Sequence, residues 1–519
     1  MRMNGAEALA QGLRSAGLDT VFANPGTSEM HLVGALAAVP GMRLVPGLFE
    51  GVLSGAADAH ARLTGRPAGL LLHLGPGLAN ATANLHNASR AGSPVVSIVG
   101  EHRSSLLPFD PPLASDIEAI ARPYAGWVRR LERPEEAAEA ARAAVAAALG
   151  TPARHAVLIV PADVAWGEAG RPDTGGDAPA ARVDPVPDAR IELMADMLRT
   201  GGHASALLLG GGLLDGRGSL LAGRIAAATG CRVLSETFPT AQRRGAGLPY
   251  LERLPYFPAD VLQTLDGVRS LVLAGAREPV AFFGYPGRPD RLVPEGCGVD
   301  RLCGPGEDGH AALEALAGLL GAGSSDPVLL PEQRPLRPEG RLTVDAVGQA
   351  IGSLLPENAI VVDEAITSGA PCYRFTVQAP THDWLSLTGG SLGFGLPAAL
   401  GAAMAAPGRK VLALVGDGSA LYTNQALWSL ARTGADVVVV VFANRAYRIL
   451  QLEYANMGLG SPAPAAQDLM RLDTPDLDFV SLARGFGILA ARADEAGEFT
   501  RILERALAEP GPFLIETVV

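Results

Sequence analysis

Residues 415–447 read VGDGSALYTNQALWSLARTGADVVVVVFANRAY, and this stretch decides the fold. A hydrophobic run ends in Gly416-Asp417-Gly418, a segment of helical length follows, and a second hydrophobic run ends at Asn444. Runs that are apolar on both faces are typical of parallel strands covered by helices on each side. Neighbouring parallel strands end at one edge of a sheet, so we predict that Asp417 and Asn444 share one crevice.

The same alternation of strand-like and helix-like segments recurs along the whole chain. The strand-like runs are short and aliphatic, and they are residues 20–22, 94–100, 205–210, 269–275, 410–416 and 436–442. Ala- and Leu-rich segments of helical period lie between them. Strands that alternate with helices favour an α/β fold with parallel sheets. We therefore predict three doubly wound parallel-sheet domains.

Two segments rich in Pro, Gly and charged residues, 167–188 and 321–340, are predicted linkers. They divide the chain into domains at 1–166, 189–320 and 341–519. The first and third domains also look alike. In each, a strand-like run leads through a Gly-rich turn and a helix to a second run, and the glycines Gly75 and Gly100 are spaced almost as Gly390 and Gly416 are. This indicates an internal duplication, although an Ala- and Gly-rich chain could give the similarity by chance.

Charge and cysteine content exclude several classes of protein. The formal net charge is -12, whereas a nucleic-acid binder would show a basic face. The four cysteines are scattered without a CxxC pair, which argues against a zinc knuckle or a disulfide framework. The start of the chain lacks the apolar core of a signal peptide, and Pro397 interrupts the longest apolar stretch. We expect a cytoplasmic protein without nucleic-acid or membrane partners.

The Gly-Asp-Gly stretch has the chemistry of a magnesium–diphosphate site. Asp417 and Asn444 offer the oxygen ligands that Mg²⁺ prefers, and Mg²⁺ commonly binds through one or two carboxylates plus substrate phosphates. Gly416 and Gly418 allow close approach of the backbone, and Ser419 is predicted to start a helix whose amino end favours an anion. The alternative is a pair of ordinary turns, because Asp-Gly is common in loops.

Further motifs lie in register with this one and identify a resemblance. They are FANPGTSE (22–29), LFEGVLSGAADAHAR (48–62), Gly75-Pro76-Gly77 and GGSLGFGLPAALGA (389–402). In order and spacing, over essentially the whole chain, they resemble the thiamine-diphosphate-dependent enzymes of the acetolactate synthase large subunit and benzoylformate decarboxylase branch. The resemblance implies a pyrimidine-binding first domain, a Rossmann-like central domain and a diphosphate-binding third domain.

The resemblance also implies ligands for the metal and the cofactor. Asp417, Asn444 and the backbone carbonyl of Ala446 would bind Mg²⁺. The family usually has two adjacent asparagines, and this chain retains only the second of them, after Ala443. The residues implied to contact thiamine diphosphate are Glu50, Thr367, Gly390, Leu392, Gly416, Asp417, Gly418, Ser419, Asn444 and Tyr447.

Three residues of the first domain are candidate catalytic residues by the same resemblance. Glu50 matches the glutamate that bonds the aminopyrimidine ring and favours its imino tautomer, a role that requires a buried carboxyl; a helix-start glutamate is the plainer alternative. His73 and Thr27 match residues near the substrate, although His73 could be a core histidine and Thr27 a helix N-cap. Ile449 and Leu450 would wall the substrate pocket unless they are ordinary packing residues.

Two stretches depart from the family pattern. Ala59-His60 stands where the family often has Gly-Tyr, which indicates a divergent subfamily. In residues 207–218, Asp215 takes the last place of a GxGxxG pattern, so the dinucleotide signal in the central domain is weak. FAD is therefore possible but not favoured.

The expected activity is thiamine-diphosphate- and Mg²⁺-dependent decarboxylation of a small 2-oxo acid. We rank carboligation of the acetolactate synthase type first and non-ligating decarboxylation of the benzoylformate decarboxylase type second, with His73 and Thr27 favouring the second. A flavin-dependent oxidase and a non-enzymatic paralogue of the same fold are the other classes. Because Glu50 and Asp417 lie on different domains, which in the family meet across a subunit interface, we expect a homodimer or homotetramer.

Overall fold

The computed structural model describes residues 3–170 and 183–519. The predicted linker 167–188 therefore lies largely outside the described residues, and the second linker, 321–340, contains no α-helix or β-strand. The elements of the first part of the chain are β1 (Met3–Asn4), α1 (Gly5–Ser15), β2 (Thr20–Asn24), α2 (Met30–Ala38), β3 (Arg43–Pro46), α3 (Glu50–Thr64), β4 (Ala68–Leu72), α4 (Leu74–Ala91), β5 (Val95–Glu101), α5 (Ile117–Ala121), β6 (Ala125–Arg130), α6 (Ala137–Ala148), β7 (His155–Pro161), α7 (Ala162–Trp166) and β8 (Glu168–Gly170).

Strands and helices continue to alternate through the rest of the chain. The middle part consists of α8 (Asp188–Gly201), β9 (Ser205–Leu209), α9 (Gly216–Thr229), β10 (Arg232–Ser235), β11 (Gln242–Arg244), β12 (Glu252–Arg253), α10 (Pro258–Thr264), β13 (Ser270–Ala274), β14 (Gly298–Cys303) and α11 (Gly309–Leu319). The last part consists of α12 (Val344–Leu354), β15 (Ile360–Glu364), α13 (Gly369–Phe375), β16 (His382–Ser386), α14 (Gly395–Ala405), β17 (Val411–Gly416), α15 (Asp417–Tyr422), α16 (Ala426–Thr433), β18 (Val437–Ala443), α17 (Arg448–Asn456), α18 (Pro464–Asp468), α19 (Phe479–Gly485), β19 (Leu489–Ala493), α20 (Ala496–Ala508) and β20 (Phe513–Val518).

Three predominantly parallel sheets organise these elements, as the strand pattern predicts. The first has the order β3-β2-β4-β5-β7-β6, the central one β12-β10-β9-β13-β14, and the third β11-β16-β15-β17-β18-β20-β19. All their pairings are parallel except that of β11 with β16. The fold is therefore α/β with three doubly wound parallel-sheet domains.

The first and third sheets share one topology. Strands β2 to β7 and strands β15 to β20, matched in chain order, follow the same spatial order, which supports an internal duplication. The sequence stretches at Gly75 and Gly390 are nevertheless not equivalent, and the pairing predicted from the sequence is wrong. Strand β4, before Gly75, corresponds in topology to β17, whereas the stretch at Gly390 follows β16. Apolar strands and Gly-rich turns are similar from one strand–helix unit to the next. The sequence comparison therefore aligned β4 with β16, one unit before its topological equivalent β17.

The central segment contributes an edge strand to the third sheet. Strand β11 pairs antiparallel with β16 through Gln242–Trp384 and Arg244–His382. Arg244 is buried, its guanidinium lies 3.7 Å from the centre of the Tyr373 ring, and it donates to Thr376 Oγ1 at 2.7 Å. A buried cation that stacks on an aromatic face and donates hydrogen bonds from both terminal nitrogens fixes this strand in place.

Helices α3 and α14 form the contact between the first and third sheets. The positions that face each other are small: a methyl group on Gly401 would lie 2.0 Å from the carbonyl of Ala56, and one on Gly55 would lie 2.7 Å from Pro397. Small residues at these positions let the helix backbones approach closely, and one hydrophobic core runs continuously between the two sheets. Over the described residues, no helix is both long and apolar enough to cross a membrane.

Candidate active site

Asp417 lies where β17 ends, and its carboxylate joins the two loops predicted to meet. Oδ1 accepts the N–H of Gly418 at 2.8 Å, and Oδ2 accepts the N–H of Arg445 at 2.6 Å. Burial raises the pKa of Asp417, and these N–H groups counteract the rise by stabilising the charged form. The helix begins at Asp417 rather than at Ser419, because Gly416 is its extended N-cap. The carboxylate is therefore fixed in place by backbone donors from both loops.

Asn444, Ala446 and Tyr447 form the other side of this crevice. The Asn444 side-chain oxygen accepts the N–H of Ala446 at 2.9 Å, which orients the amide. The ring of Tyr447 lies against Gly418, where an added methyl group would come within 2.4 Å of the ring. Asp417 and Gly418 thus lie beside Asn444, Ala446 and Tyr447, although the two groups are more than 25 positions apart in the sequence.

The Gly390–Leu392 segment follows β16 at the same edge of the sheet, and a buried glutamate holds the loop that continues it. Glu364 accepts the N–H groups of Gly393 and Gly395, both at 2.6 Å, and that of Phe394 at 3.1 Å. Burial raises the pKa of Glu364 to about 7, although these three donors favour its charged form. The conformation of the loop therefore depends on one ionisable side chain.

Strained backbone adjoins three of the predicted site residues. In the described part of the chain, five non-glycine residues have positive φ, and three of them adjoin predicted site residues: Leu74 after His73, Ile366 before Thr367, and Arg445 after Asn444. Positive φ is unfavourable for a β-branched residue such as Ile366. Such strain concentrates at ligand and active sites, where surrounding structure enforces it.

Ile449 and Leu450 lie in the first turn of α17, directly after the Asn444 loop. Leu450 is 45% exposed and Ile449 is half-buried, so neither is a core residue of the chain. Their side chains are available to a ligand or to a partner molecule.

Glu50 starts α3 at the carboxyl edge of the first sheet, and two asparagines hold its carboxyl. The Asn24 amide donates to Oε1 at 3.2 Å, and the Asn80 amide donates to Oε2 at 3.0 Å. The side chain is 7% exposed, and a methyl group on Gly77 would lie 3.4 Å from it. The carboxyl is thus buried and is positioned by two neutral amides.

His73 follows β4 at the same edge and pairs with a glutamate that the sequence reading did not single out. Its Nδ1 lies 2.8 Å from Oε2 of Glu29, which is fully buried and also accepts the N–H of Gly26 at 2.8 Å. The His73 ring itself is partly exposed. A carboxylate on Nδ1 fixes the ring orientation and leaves Nε2 for a substrate.

Thr27 is exposed at the first position of the short 3-10 turn Thr27–Glu29. Gly26, rather than Thr27, is the N-cap residue of that turn, so the capping alternative for Thr27 is not what the structure shows. Gly26 packs against the His73 ring, where a methyl group would lie 2.3 Å from Nδ1. Thr27, Glu50 and His73 therefore follow three neighbouring strands of one sheet.

The central domain uses carboxylates where a dinucleotide phosphate would bind in a Rossmann-like fold. Glu236 accepts the N–H of Gly211 at 2.9 Å, and Asp215 caps α9 by accepting the N–H of Gly218 at 2.7 Å. Burial raises the pKa of Glu236 to about 7. With these donors occupied by acidic side chains, the glycine-rich turn is poorly suited to a pyrophosphate.

Comparison with known proteins agrees with this arrangement. The family model for the thiamine pyrophosphate enzyme N-terminal TPP binding domain matches residues 3–119, and that for the C-terminal TPP binding domain matches residues 368–517. The chain belongs to the thiamine pyrophosphate enzyme family. Within it, the chain is a thiamine-diphosphate-dependent enzyme of the acetolactate synthase and benzoylformate decarboxylase branch.

Three relatives define that branch. A Mycobacterium tuberculosis (strain H37Rv) protein named "Putative acetolactate synthase large subunit IlvX" is 50% identical over 100% of this chain and 99% of its own length. Benzoylformate decarboxylase of Pseudomonas aeruginosa is 30% identical over 97% of this chain and 96% of its own. The solved structure of a thiamine diphosphate-dependent 4-hydroxybenzoylformate decarboxylase from Rhodococcus jostii RHA1 aligns with a TM-score of 0.86 and 25% identity, covering 100% of this chain and 99% of that one.

Proposed function

We propose that the protein decarboxylates a 2-oxo acid and releases the aldehyde, using thiamine diphosphate and Mg²⁺. The observation that carries this proposal is the pairing of His73 with the buried carboxylate of Glu29, on the sheet edge where Glu50 also lies. An oriented imidazole can deliver the proton that aldehyde release requires. Two relatives named as decarboxylases of aryl 2-oxo acids support the same activity.

The residues present fit a diphosphate-bound magnesium ion. Each Asp417 oxygen accepts one backbone N–H, as does the Asn444 oxygen, so lone pairs remain on all three atoms. Within the described ranges no three His, Cys, Asp or Glu side chains cluster as a metal site. One carboxylate with neutral oxygens, completed by phosphate oxygens and water, is nevertheless a sufficient donor set for Mg²⁺.

Gly390 and Leu392 would hold the cofactor, with Thr367, Gly416, Gly418, Ser419 and Tyr447 around its diphosphate. When bound, thiamine diphosphate supplies a carbon nucleophile and an electron sink for the carboxylate that leaves. Glu50 would hold a proton at the pyrimidine ring nitrogen, and the amides of Asn24 and Asn80 hold its carboxyl in place. Thr27 would donate to the substrate carboxylate, and His73 would move the product proton at Nε2. Ile449 and Leu450 would exclude water from the substrate.

Carboligation of the acetolactate synthase type is the second candidate. The relative at 50% identity carries that name, and a pocket that admits a second 2-oxo acid would convert the same decarboxylated species into a longer product. The His73–Glu29 pair favours decarboxylation over carboligation, because a ready proton donor competes with a second carbonyl substrate.

A flavin-dependent oxidase is the third candidate. The central domain argues against it, because its glycine-rich turn is poorly suited to bind the pyrophosphate of a flavin dinucleotide. The carboxylates of Glu236 and Asp215 bond the N–H groups that would face a pyrophosphate. A purified protein that is yellow and consumes oxygen on pyruvate would favour it. The remaining alternative is a non-enzymatic paralogue. The presence of Glu50, Asp417 and Asn444 together argues against it, because a protein without catalytic activity does not need these three side chains.

The complete site is proposed to form between two subunits. Large apolar side chains next to the predicted site are exposed in the single chain: Leu48 and Tyr422 at 51%, Leu450 at 45% and Ile366 at 40%. Exposed apolar side chains that form a contiguous patch are typical of a protein interface. A homodimer or homotetramer would cover it, whereas a fully active monomer at micromolar concentration would contradict this part of the proposal.

The boundaries 1–166, 189–320 and 341–519 are proposed for the three domains of the chain.

A panel of 2-oxo acids tests the proposed function. Purified protein with thiamine diphosphate and Mg²⁺ is given pyruvate, 2-oxoisovalerate, benzoylformate and 4-hydroxybenzoylformate, and the products are identified. Aldehyde and carbon dioxide in equal amounts support decarboxylation. A coupled product such as acetolactate supports the second candidate, and no turnover of any acid contradicts both.

A further inference from the structure

Three polar side chains of α4 contact the segment of the third domain that would hold the cofactor. They are Asn84, His86 and Asn87, and each bonds the backbone within residues 389–393, the cofactor loop. Asn84 and Asn87 are buried, with 1% and 0% of their surface exposed, and His86 is half-buried. None of the three has a role in the site described above, although together they hold the cofactor loop from the side of the first domain.

The Asn87 side chain pairs with both backbone groups of Ser391. Its Oδ1 accepts the N–H of Ser391 at 3.2 Å, and its Nδ2 donates to the Ser391 carbonyl at 2.9 Å and to Oδ1 of Asn84 at 2.8 Å. A reversed amide would place a donor against the Ser391 N–H and an acceptor against two oxygens. The Asn87 amide therefore has a single orientation.

Asn84 anchors this pair to the helix that begins at Glu50. Its Nδ2 donates to the carbonyl of Gly51 and to that of Gly393, both at 2.9 Å. In the described part of the chain, no polar side-chain atom of Asn84 or Asn87 is left without a hydrogen-bond partner. A fully satisfied network of buried polar groups is rigid and specifies one conformation. The cofactor loop is therefore fixed relative to α3.

The bond from Ser391 to Asn87 determines where the Gly390 carbonyl points. In a trans peptide, the C=O of one residue and the N–H of the next point in opposite directions, and the Gly390–Ser391 bond is trans. Because Asn87 accepts the Ser391 N–H, the Gly390 carbonyl is directed away from α4. Gly390 is partly exposed, and no backbone N–H of the described residues bonds its carbonyl. This carbonyl can therefore accept a hydrogen bond from a bound molecule.

The preceding peptide is held in the same way. Nε2 of His86 lies 3.1 Å from the Gly389 carbonyl, which can only accept, so Nε2 carries the proton and donates. Gly390, between the two held peptides, has a φ of 75° and no Cβ, so its own backbone preference does not fix the direction of its carbonyl. That direction depends on His86 and Asn87.

We propose that Asn87 is a positioning residue that directs the Gly390 carbonyl at the exocyclic amine of the cofactor's pyrimidine ring. A carbonyl needs a donor, and this amine is the donor that the pyrimidine ring of thiamine diphosphate offers. His86 supports the same orientation through the adjacent peptide, and Asn84 holds Asn87. The Asn87 amide thereby determines how strongly the protein distinguishes thiamine diphosphate from an analogue without the amine. This inference rests on the proposed function for the identity of the cofactor.

Binding of a matched pair of ligands tests the inference without turnover. Thiamine diphosphate, and an analogue in which hydrogen replaces the exocyclic amine, are titrated calorimetrically into the full-length protein with Mg²⁺. The wild type should bind thiamine diphosphate about tenfold more tightly than the analogue, as one well-directed hydrogen bond allows. Asn87→Leu, which is similar in size and cannot hydrogen-bond, should lower this ratio to about twofold, because the carbonyl is no longer directed. Equal affinities in the wild type, or a ratio unchanged in Asn87→Leu, would overturn the proposal.

A second variant keeps the test decisive if Asn87→Leu does not fold. His86→Ala changes a half-buried side chain, leaves the amide pair intact and should lower the ratio about threefold; an unchanged ratio in this variant would also overturn the proposal. Ser89→Ala removes an exposed side-chain hydroxyl from the same helix and is the matched control, with the wild-type ratio expected.

A purely structural role of Asn87 gives a different result. It would weaken thiamine diphosphate and the analogue by the same factor and lower the melting temperature, so the ratio would stay at its wild-type value and the proposal would fall. Failure of the proposed function would show separately, as no binding of thiamine diphosphate by the wild type.

Discussion

Replacing Gly100 with alanine would place a methyl group where the carboxyl of Glu29 lies. Gly100 is in β5, and the added carbon would be 1.8 Å from Oε1 of Glu29, whereas ordinary contacts of such a carbon begin at 3.4 Å. The three heavy atoms nearest to the added carbon all belong to the Glu29 side chain. The substitution therefore perturbs the pair through Glu29 alone.

The magnitude follows from that overlap. The carboxyl must withdraw by more than about 1 Å to reach an acceptable contact, which lengthens the 2.8 Å bond to His73 beyond the usual range. Positioned acid–base groups contribute about 10²- to 10⁴-fold to a rate. A histidine that is present but no longer oriented should fall at the lower end. We expect kcat to drop about 100-fold, equivalent to about 2.7 kcal/mol in the barrier.

Steady-state decarboxylation, measured with the best 2-oxo acid of the panel, is the assay. Gly34→Ala is the matched control, because Gly34 lies in α2 with open space around the added methyl and should gain a little helix stability. Affinity for thiamine diphosphate and the melting temperature are measured in parallel. A Gly100→Ala variant that binds the cofactor and retains full kcat would refute the role given to the Glu29–His73 pair.

Three further predictions concern the other parts of the site. Glu50→Gln should abolish turnover while thiamine diphosphate still binds, and residual activity near the wild-type level would show that Glu50 has another role. Gly418→Ala should weaken Mg²⁺-dependent cofactor binding about tenfold or more, because the new methyl would lie 2.4 Å from the Tyr447 ring; unchanged affinity by calorimetry would contradict the packing of the metal loop. Glu364, whose pKa is raised from 4.5 to about 7 by burial, contributes stability that is full below pH 4.5 and is lost as the pH rises through 7. The apparent melting temperature of Glu364→Gln relative to wild type should therefore increase between pH 4.5 and 7 and level off above, and a difference that is independent of pH would contradict this.

Parallel strands made much of the fold predictable from the sequence. Apolar runs such as β17 and β18 end in polar loops, and the shared edge of a parallel sheet then places Asp417 beside Asn444. Strand β11 shows the limit of this reasoning. Its sequence, Gln-Arg-Arg, has no apolar pattern, and only its pairing with β16 in another domain makes it a strand.

The residues missed at the site are those whose partners are distant in sequence. Glu29 lies 44 positions from His73 and Glu364 lies about 30 from the loop it holds, so no local spacing indicates either pair. A weak signal existed for Glu29, because a glutamate three residues after Gly26 can return to the backbone of a turn. Asn87 looked like an ordinary polar residue on a helix surface, and only its bonds to the loop of the third domain reveal why it is buried.

The most direct test of the account is calorimetric titration of thiamine diphosphate into the protein with Mg²⁺ and, separately, with EDTA, for the wild type and Asp417→Ala. The account predicts saturable binding by the wild type with Mg²⁺ and its loss in EDTA or in the variant. Absence of binding with Mg²⁺, or equal binding under all of these conditions, would contradict it.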